Sequence, residues 1–243
     1  MFEGMPLAEM GWNPWHGCFR VSEGCQNCFI YAIDSAHHRD TREVFLTKDF
    51  EKPLKRRRNG EYQIPDGALV YTCLSSDFLL PQADAWRARA FEMMRARKGI
   101  RFVFFTKRIE RLEAVLPQDW GSGYDNVIVG VSVENHRRAD ERLPILLGAP
   151  LKHRWVIAAP LLESLRLERY LESVECLSVG GESGYEARVC RYEWVLSLKE
   201  QANRVGVRFH FHQTGSHFVK DGRFYRIPKK LQRSQAKKAG LNG

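Results

Sequence analysis

The sequence predicts an α/β protein built on a mainly parallel sheet, and two observations carry that expectation. Short apolar, β-branched runs recur at residues 69–74, 101–106, 126–133, 154–159, 174–179 and 207–212. Near-continuous hydrophobicity of this kind marks strands covered on both faces, as in a parallel sheet. Longer amphipathic segments alternate with these runs. A βαβα order with helical crossovers gives a full or partial barrel, or a doubly wound sheet.

Each element has its own local reason. An earlier, irregular strand is expected to lead into residues 12–18. Residues 82–98 read as a helix with Ala85, Trp86, Ala90, Met93 and Met94 on one side and arginines opposite, closed by Gly99 as a C-cap. Residues 108–116 form a short helix that stops at Pro117. Segments 136–147, 161–173 and 191–205 repeat the helical pattern, and Gly206 closes the last. Residues 40–67 are polar, basic and turn-rich, and are expected to be an insertion over a barrel mouth. The Asp221-Gly222 pair predicts a hairpin that packs Phe218 and Phe224 into the core.

The chain has 243 residues, 44% of them hydrophobic, which places it among globular proteins with a real core. The N-terminus shows neither a basic start followed by an apolar run nor a cleavage site. No stretch approaches the roughly 18 uninterrupted apolar residues of a membrane span. The expectation is a soluble, cytoplasmic protein with no membrane partner. A formal net charge of +9 favours polyanionic partners. Much of it is local, in Lys55-Arg56-Arg57-Arg58 and in the stretch from Lys220 to Lys238, read either as solvated surface with a loose tail or as a nucleic-acid contact.

Polar residues collect where the predicted strands end, and in α/β barrels those ends build the active site. Ser75, Ser76 and Asp77 follow one strand and Thr106, Lys107 and Arg108 the next. Glu134 and Asn135 follow the third, and Gly180, Gly181 and Glu182 a later one. Helix capping explains part of this pattern, but the charged Lys107, Glu134 and Glu182 less well.

The six cysteines lie at positions 18, 25, 28, 73, 176 and 190. A chain of this size needs no disulfide framework. Cys73, Cys176 and Cys190 have apolar neighbours and read as small buried hydrophobes. Cys18, Cys25 and Cys28 instead form a C-x6-C-x2-C cluster, with Gly17 and Gly24 letting the backbone approach a compact inorganic core. Thiolates suit both iron–sulfur clusters and zinc. Spacing alone leaves three readings open: structural cysteines, a Cys3His zinc site completed by His16, or a cluster with one iron lacking a protein ligand.

The segment Trp12-Asn13-Pro14-Trp15-His16-Gly17-Cys18 with its two later cysteines resembles the opening of a phage- and bacteria-associated three-cysteine family. That family is grouped with the radical S-adenosylmethionine (SAM) superfamily and has no established substrate. The likeness continues through Thr106-Lys107-Arg108, Gly130-Val131-Ser132-Val133-Glu134-Asn135, Gly180-Gly181-Glu182-Ser183-Gly184 and Gln213-Thr214-Gly215. It implies a partial (β/α) barrel of six or seven mainly parallel strands over residues 1–215, with a basic extension over 216–243. It also implies a 4Fe–4S cluster on Cys18, Cys25 and Cys28. SAM would be contacted by Ser75, Ser76 and Asp77, by Glu134 or Asn135, and by Gly180 and Gly181. In such enzymes a reduced cluster cleaves SAM, and the resulting radical takes a hydrogen atom from the substrate. Lys107, Arg108 and Glu182 are the candidates for substrate contact.

Two departures stand out. Most of the superfamily uses C-x3-C-x2-C, and Ala159 stands where relatives often place a glutamate before Pro160, a role that would pass to Glu163 or Glu182. The expected partners are a nucleic-acid or nucleotide substrate and an electron donor such as a flavodoxin or ferredoxin. The rival classes are a zinc-stabilised nucleic-acid-binding module and an iron–sulfur protein that transfers electrons or senses redox state without cleaving SAM. The sequence does not specify an oligomeric state.

Overall fold

A computed structural model describes residues 8–242. Residues 1–7, on which part of the leader reading rests, lie outside the described residues. In chain order the strands are β1 (Glu9–Trp12), β2 (Trp15–His16), β3 (Phe45–Leu46), β4 (Leu69–Thr72), β5 (Arg101–Thr106), β6 (Val127–Ser132), β7 (His153–Ala158), β8 (Cys176–Gly180), β9 (Cys190–Arg191), β10 (Arg208–Gln213), β11 (His217–Lys220) and β12 (Arg223–Arg226). The α-helices are α1 (Phe29–Ala36), α2 (Asp84–Ala96), α3 (Leu112–Val115), α4 (His136–Gly148), α5 (Glu168–Leu171), α6 (Tyr192–Arg204) and α7 (Lys229–Lys238).

Seven strands hydrogen-bond in the order β1-β4-β5-β6-β7-β8-β10. The α/β class with a parallel, partial-barrel sheet stands as the sequence predicts. The chain divides into two compact units. The first comprises the described residues of Met1–Phe19 with Asp40–Gly130 and Ala149–His153; the second comprises Arg20–Arg39, Val131–Gly148 and Arg154–Gly243 as far as residue 242.

In the first unit, β1, β4 and β5 pair in parallel, with Trp12 beside Thr72 and Thr72 beside Phe104. Its core is aromatic. Trp12 and Trp15 are fully buried. The Trp15 ring stacks on Phe78 at 5.2 Å, and Phe78 on Phe104 at 4.4 Å. The tryptophans that lead into the first cysteine are therefore packing anchors. Segment 40–67 embraces the same stretch: Trp12 Nε1 donates to Phe50 O at 3.0 Å, and β2 pairs with β3.

In the second unit, β8 lies between β7 and β10, all parallel. The Asp221-Gly222 hairpin forms as predicted, with β11 and β12 antiparallel and positive φ at both turn residues. Positive φ at two successive residues is the signature of the turn that matches strand twist. Phe218 is buried, but Phe224 is 50% exposed, contrary to the expectation that both pack inward. The C-terminal stretch is not a loose tail. It forms α7, with Gln232 and Ala236 buried, and Asn242 exchanges hydrogen bonds with the backbone of Phe211.

Other expectations need correction. The predicted helix over 161–173 shrinks to α5, because tertiary partners take its amides. Leu167 N and Glu168 N, which a helix from 161 would pair with Glu163 O and Ser164 O, both donate to Gln201 Oε1. The leucine spacing there records burial of an extended segment. Gly99 is not a helix cap; Arg97 closes α2. A Cβ at position 99 would instead lie 2.4 Å from Asp66 Cγ. Arg87 is also not on a solvated face: it is 2% exposed and donates from Nε to Phe78 O at 2.8 Å. The segment 108–116 opens with a 3-10 turn, Ile109–Arg111, before α3.

Candidate metal centre

In the first unit the residues after β4 and β5 fasten the chain around Cys18. Gly17 has φ +98°, and a Cβ there would meet Glu43 O at 2.6 Å, so the bend requires glycine. Gly17 N donates to Ser75 O, and Ser76 Oγ donates to Gly17 O. Cys18 N donates to Thr41 O at 2.8 Å. Asp77 is buried and accepts from Thr106 Oγ1 (2.7 Å), Leu79 N (2.9 Å), Lys107 N (3.0 Å) and Arg108 Nη1 (3.0 Å). Arg108, held by that carboxylate, donates from Nη2 to Phe19 O at 2.6 Å, and its Nη1 stands 3.9 Å from Cys18 Sγ. A buried guanidinium beside a sulfur favours the thiolate. Burial works against the Arg108 cation, but the Asp77 carboxylate outweighs it and keeps the guanidinium charged.

In the second unit two further buried acids hold the stretch that carries Cys25 and Cys28. Glu134 has no exposed surface and pairs with Arg142 Nη1 at 2.8 Å. Its other oxygen accepts from Ser22 Oγ and from Gly24 N. A Cβ at Gly24 would lie 2.9 Å from that carboxylate. Glu182 pairs with Arg188 at 2.5 Å and accepts from Asn27 Nδ2 at 3.1 Å. Arg188 also reaches Glu23 O at 2.9 Å. Burial pushes the Glu182 carboxyl up, and the Arg188 side chain and backbone N–H with Asn27 together bring it below the ordinary value. Glu23 is held down at about 2 by hydrogen bonds from Arg138.

The six cysteines separate by environment, and none forms a disulfide. Cys18, Cys25 and Cys28 are half-buried, whereas Cys73, Cys176 and Cys190 are buried. Burial pushes Cys190 up to about 12 and raises Cys73 and Cys176 as well. Those three are inert thiols, as their apolar neighbours predict. The other three, all soft donors within eleven residues, fit an iron–sulfur or zinc centre in donor chemistry. Among the described residues no group of three or more His, Cys, Asp or Glu side chains is already gathered as metal ligands. His16, the candidate fourth zinc ligand, lies with its ring 5.4 Å from that of Phe45.

The model of the family described as "Protein of unknown function (DUF5131)" matches residues 4–242. The chain belongs to the DUF5131 family. No curated protein matches it. Two solved chains of spore photoproduct lyase are similar at low identity. One, a point variant, is 12% identical with a TM-score of 0.43, covering 95% of this chain and 76% of that one. The other, complexed with dinucleoside spore photoproduct, is 14% identical with a TM-score of 0.43, covering 93% and 69%.

In this DUF5131 chain the strand-end residues singled out from sequence are engaged as follows. Ser75 Oγ donates to Trp15 O at 3.3 Å. Asn135 Oδ1 accepts from Arg138 N at 2.9 Å, which caps α4. Gly180, the last residue of β8, and Gly181 after it allow close approach to β10 and the residue that follows it: a Cβ at 180 would lie 2.4 Å from the His212 ring, and one at 181 would lie 2.3 Å from Thr214 O. Lys107 is half-buried and engaged through its backbone N–H. Glu163 accepts from His136 N at 2.7 Å and so serves the start of α4. Sequence reasoning missed Arg142, Arg188, Asn27 and Ser22, which complete the anchors. Among the described residues no helix is long and apolar enough to cross a membrane.

Proposed function

We propose that this chain is a radical SAM enzyme in which Cys18, Cys25 and Cys28 hold a 4Fe–4S cluster. The observation that carries the reading is the contrast among the cysteines. The three half-buried ones sit in a segment that buried acids, each paired with an arginine, anchor at Phe19, Gly24 and Asn27. The remaining three are buried and inert. A cluster with three protein thiolates supplies, when bound, an iron open to SAM and the electron that cleaves it.

The chain's own residues supply position and charge. Arg108 favours the thiolate of Cys18 and fixes Phe19. Glu134 and Arg142 hold Ser22 and Gly24 ahead of Cys25, while Glu182 and Arg188 hold Glu23 and Asn27 ahead of Cys28. The carboxylates of Asp77, Glu134 and Glu182 are spent on these anchors, so in our reading they are positioning residues. In this reading the polar contacts to SAM fall to the lone pairs of Ser75 and Ser76, whose hydroxyl protons go to Trp15 O and Gly17 O, to the Nδ2 side of Asn135, and to the backbone at Gly180 and Gly181. Lys107 is the basic side chain left for the substrate, and a flavodoxin or ferredoxin is the class of electron donor required.

The test is anaerobic reconstitution with iron and sulfide, followed by absorption and low-temperature EPR with and without SAM. A brown protein with four irons and a reduced-cluster signal that SAM perturbs is the expected result. A colourless protein that retains one zinc and ignores SAM overturns the reading in favour of a zinc-stabilised binding module. A cluster signal indifferent to SAM overturns it in favour of an electron-transfer or sensor protein.

A further inference from the structure

The second unit carries a surface that the cluster chemistry does not use. Between Lys220 and Lys238 the chain has eight lysines and arginines against one acid, Asp221. All four residues of β12 are exposed, and β12 is the edge of the β12-β11-β9 sheet. Arg223 and Arg226 on that edge have one ordinary explanation, since charged side chains protect an edge strand from pairing with another chain. That explanation does not extend to the two residues between them. Phe224 is 50% and Tyr225 42% exposed, and large aromatics on a bare edge invite the pairing that the charges discourage.

Strand alternation sends Phe224 and Tyr225 to opposite faces of the hairpin. The His217 ring lies 5.4 Å from Phe224. The following helix α7 exposes Lys230 and Arg233. At its first residue, the Lys229 ammonium lies 5.7 Å from the ring of Phe29, the residue directly after Cys28. Cations that track a backbone, interleaved with aromatic faces, match a polyanion whose bases are unstacked. A duplex would satisfy the charges but leave the aromatics without partners.

We infer that the β11–β12 hairpin and α7 form a platform for single-stranded nucleic acid. The nucleic-acid strand passes over the exposed edge of β12, so that bases stack on Phe224 on one face and on Tyr225 on the other, with phosphates on Arg223, Arg226, Lys230 and Arg233. This names the substrate class of the proposed enzyme. It rests on that reading only for the step from binding to reaction, because the platform lies outside the cysteine segment.

The test is fluorescence anisotropy with the full chain, both apo and reconstituted, and labelled oligothymidylate, oligouridylate and a DNA duplex across a salt series. Phosphatidylserine vesicles are tested in parallel by sedimentation. We expect both preparations to bind the single strands more tightly than the duplex. Four phosphate contacts give a log–log salt slope of about −3. Replacing Phe224 and Tyr225 together by alanine weakens binding about 10-fold or more without changing the slope. Arg223→Ser with Arg226→Ser removes two of the four contacts and makes the slope shallower by about 1.4. Circular dichroism melts confirm that these surface variants are folded. Salt-independent or absent oligonucleotide binding, binding that both double variants leave unchanged, tighter binding to the duplex, or capture by vesicles alone would each overturn the platform. A chain that binds the strand but ignores SAM keeps the platform and loses the enzyme reading. A chain that cleaves SAM but binds no strand does the reverse.

Discussion

The buried carboxylate of Glu134 accepts a hydrogen bond from the backbone N–H of Gly24, the residue before Cys25, and pairs with Arg142 on its other side. The pair is almost wholly buried, with side-chain exposures of 0% for Glu134 and 6% for Arg142. Removing one charge leaves the other desolvated and uncompensated, which costs about 3–5 kcal/mol in buried pairs. Glu134→Gln should therefore destabilise the fold by about 3 kcal/mol in urea unfolding and lower the iron retained per chain after reconstitution. An effect below about 1 kcal/mol with undiminished iron would mean that the carboxylate does not hold the cysteine segment.

The thiols give a second prediction that needs no cofactor. In the native apo protein Cys18, Cys25 and Cys28 should be alkylated by iodoacetamide, whereas Cys73, Cys176 and Cys190 should react only on unfolding. Burial hides the last three and keeps them protonated. Peptide mass spectrometry after a timed pulse reads this out. Rapid native labelling of Cys190, whose thiol burial holds at about 12, would contradict the assignment of inert and ligand cysteines. Correspondingly, serine at any one of positions 18, 25 or 28 should cost most of the reconstituted iron, and Cys73→Ser should cost little.

Gly181 offers a steric test of how β8 meets the chain after β10. Its missing side chain is required because a Cβ would lie 2.3 Å from Thr214 O and 2.9 Å from Cys190 Cβ. Backbone atoms give way less readily than a flexible side chain, so Gly181→Ala should destabilise by about 1–3 kcal/mol. Gly222→Ala faces open space, so any cost there comes from its positive φ alone. A thermal melt of Gly181→Ala indistinguishable from the parent would show that the close approach is absent.

What the sequence revealed and what it hid follow from the range of the interactions involved. The strand over residues 101–106 is legible because its signal is a continuous apolar run, and the observed β5 has the same limits. The cysteine spacing, the hairpin turn at Asp221-Gly222 and the acids after the strands are equally local. Their partners are not. Asp77 meets Arg108 across 31 residues of chain. Arg142 and Arg188 sit in amphipathic or turn-rich stretches, where an arginine looks the same whether it faces water or a buried carboxylate. Arg87 in α2 carries the same ambiguity: its spacing puts it with the exposed arginines, yet it is buried. The segment 161–173 failed differently: Leu161, Leu165, Leu167 and Leu171 are all buried, so the pattern reported burial correctly, but distant acceptors claimed the amides that a helix needs.

His212 makes the fold itself sensitive to pH. Its Nδ1 lies 3.0 Å from Ser178 Oγ, and burial first, then the neighbouring His210 and Arg233, bring its pKa from the ordinary 6.5 down to about 3. A base whose folded pKa is depressed stays neutral in the folded state, while the unfolded chain takes up a proton. Stability is then fully present above about 6.5 and is lost progressively as pH falls toward 3. One such proton gives a slope of at most about 1.4 kcal/mol per pH unit. Urea unfolding at several pH values between neutral and about 5 should show this decline. His212→Gln retains a group that can bond Ser178 but cannot titrate, so the difference between the two proteins isolates this proton from the carboxylates, whose own losses lie lower. Parallel curves for the parent and His212→Gln would show that the imidazole is not held neutral beside Ser178.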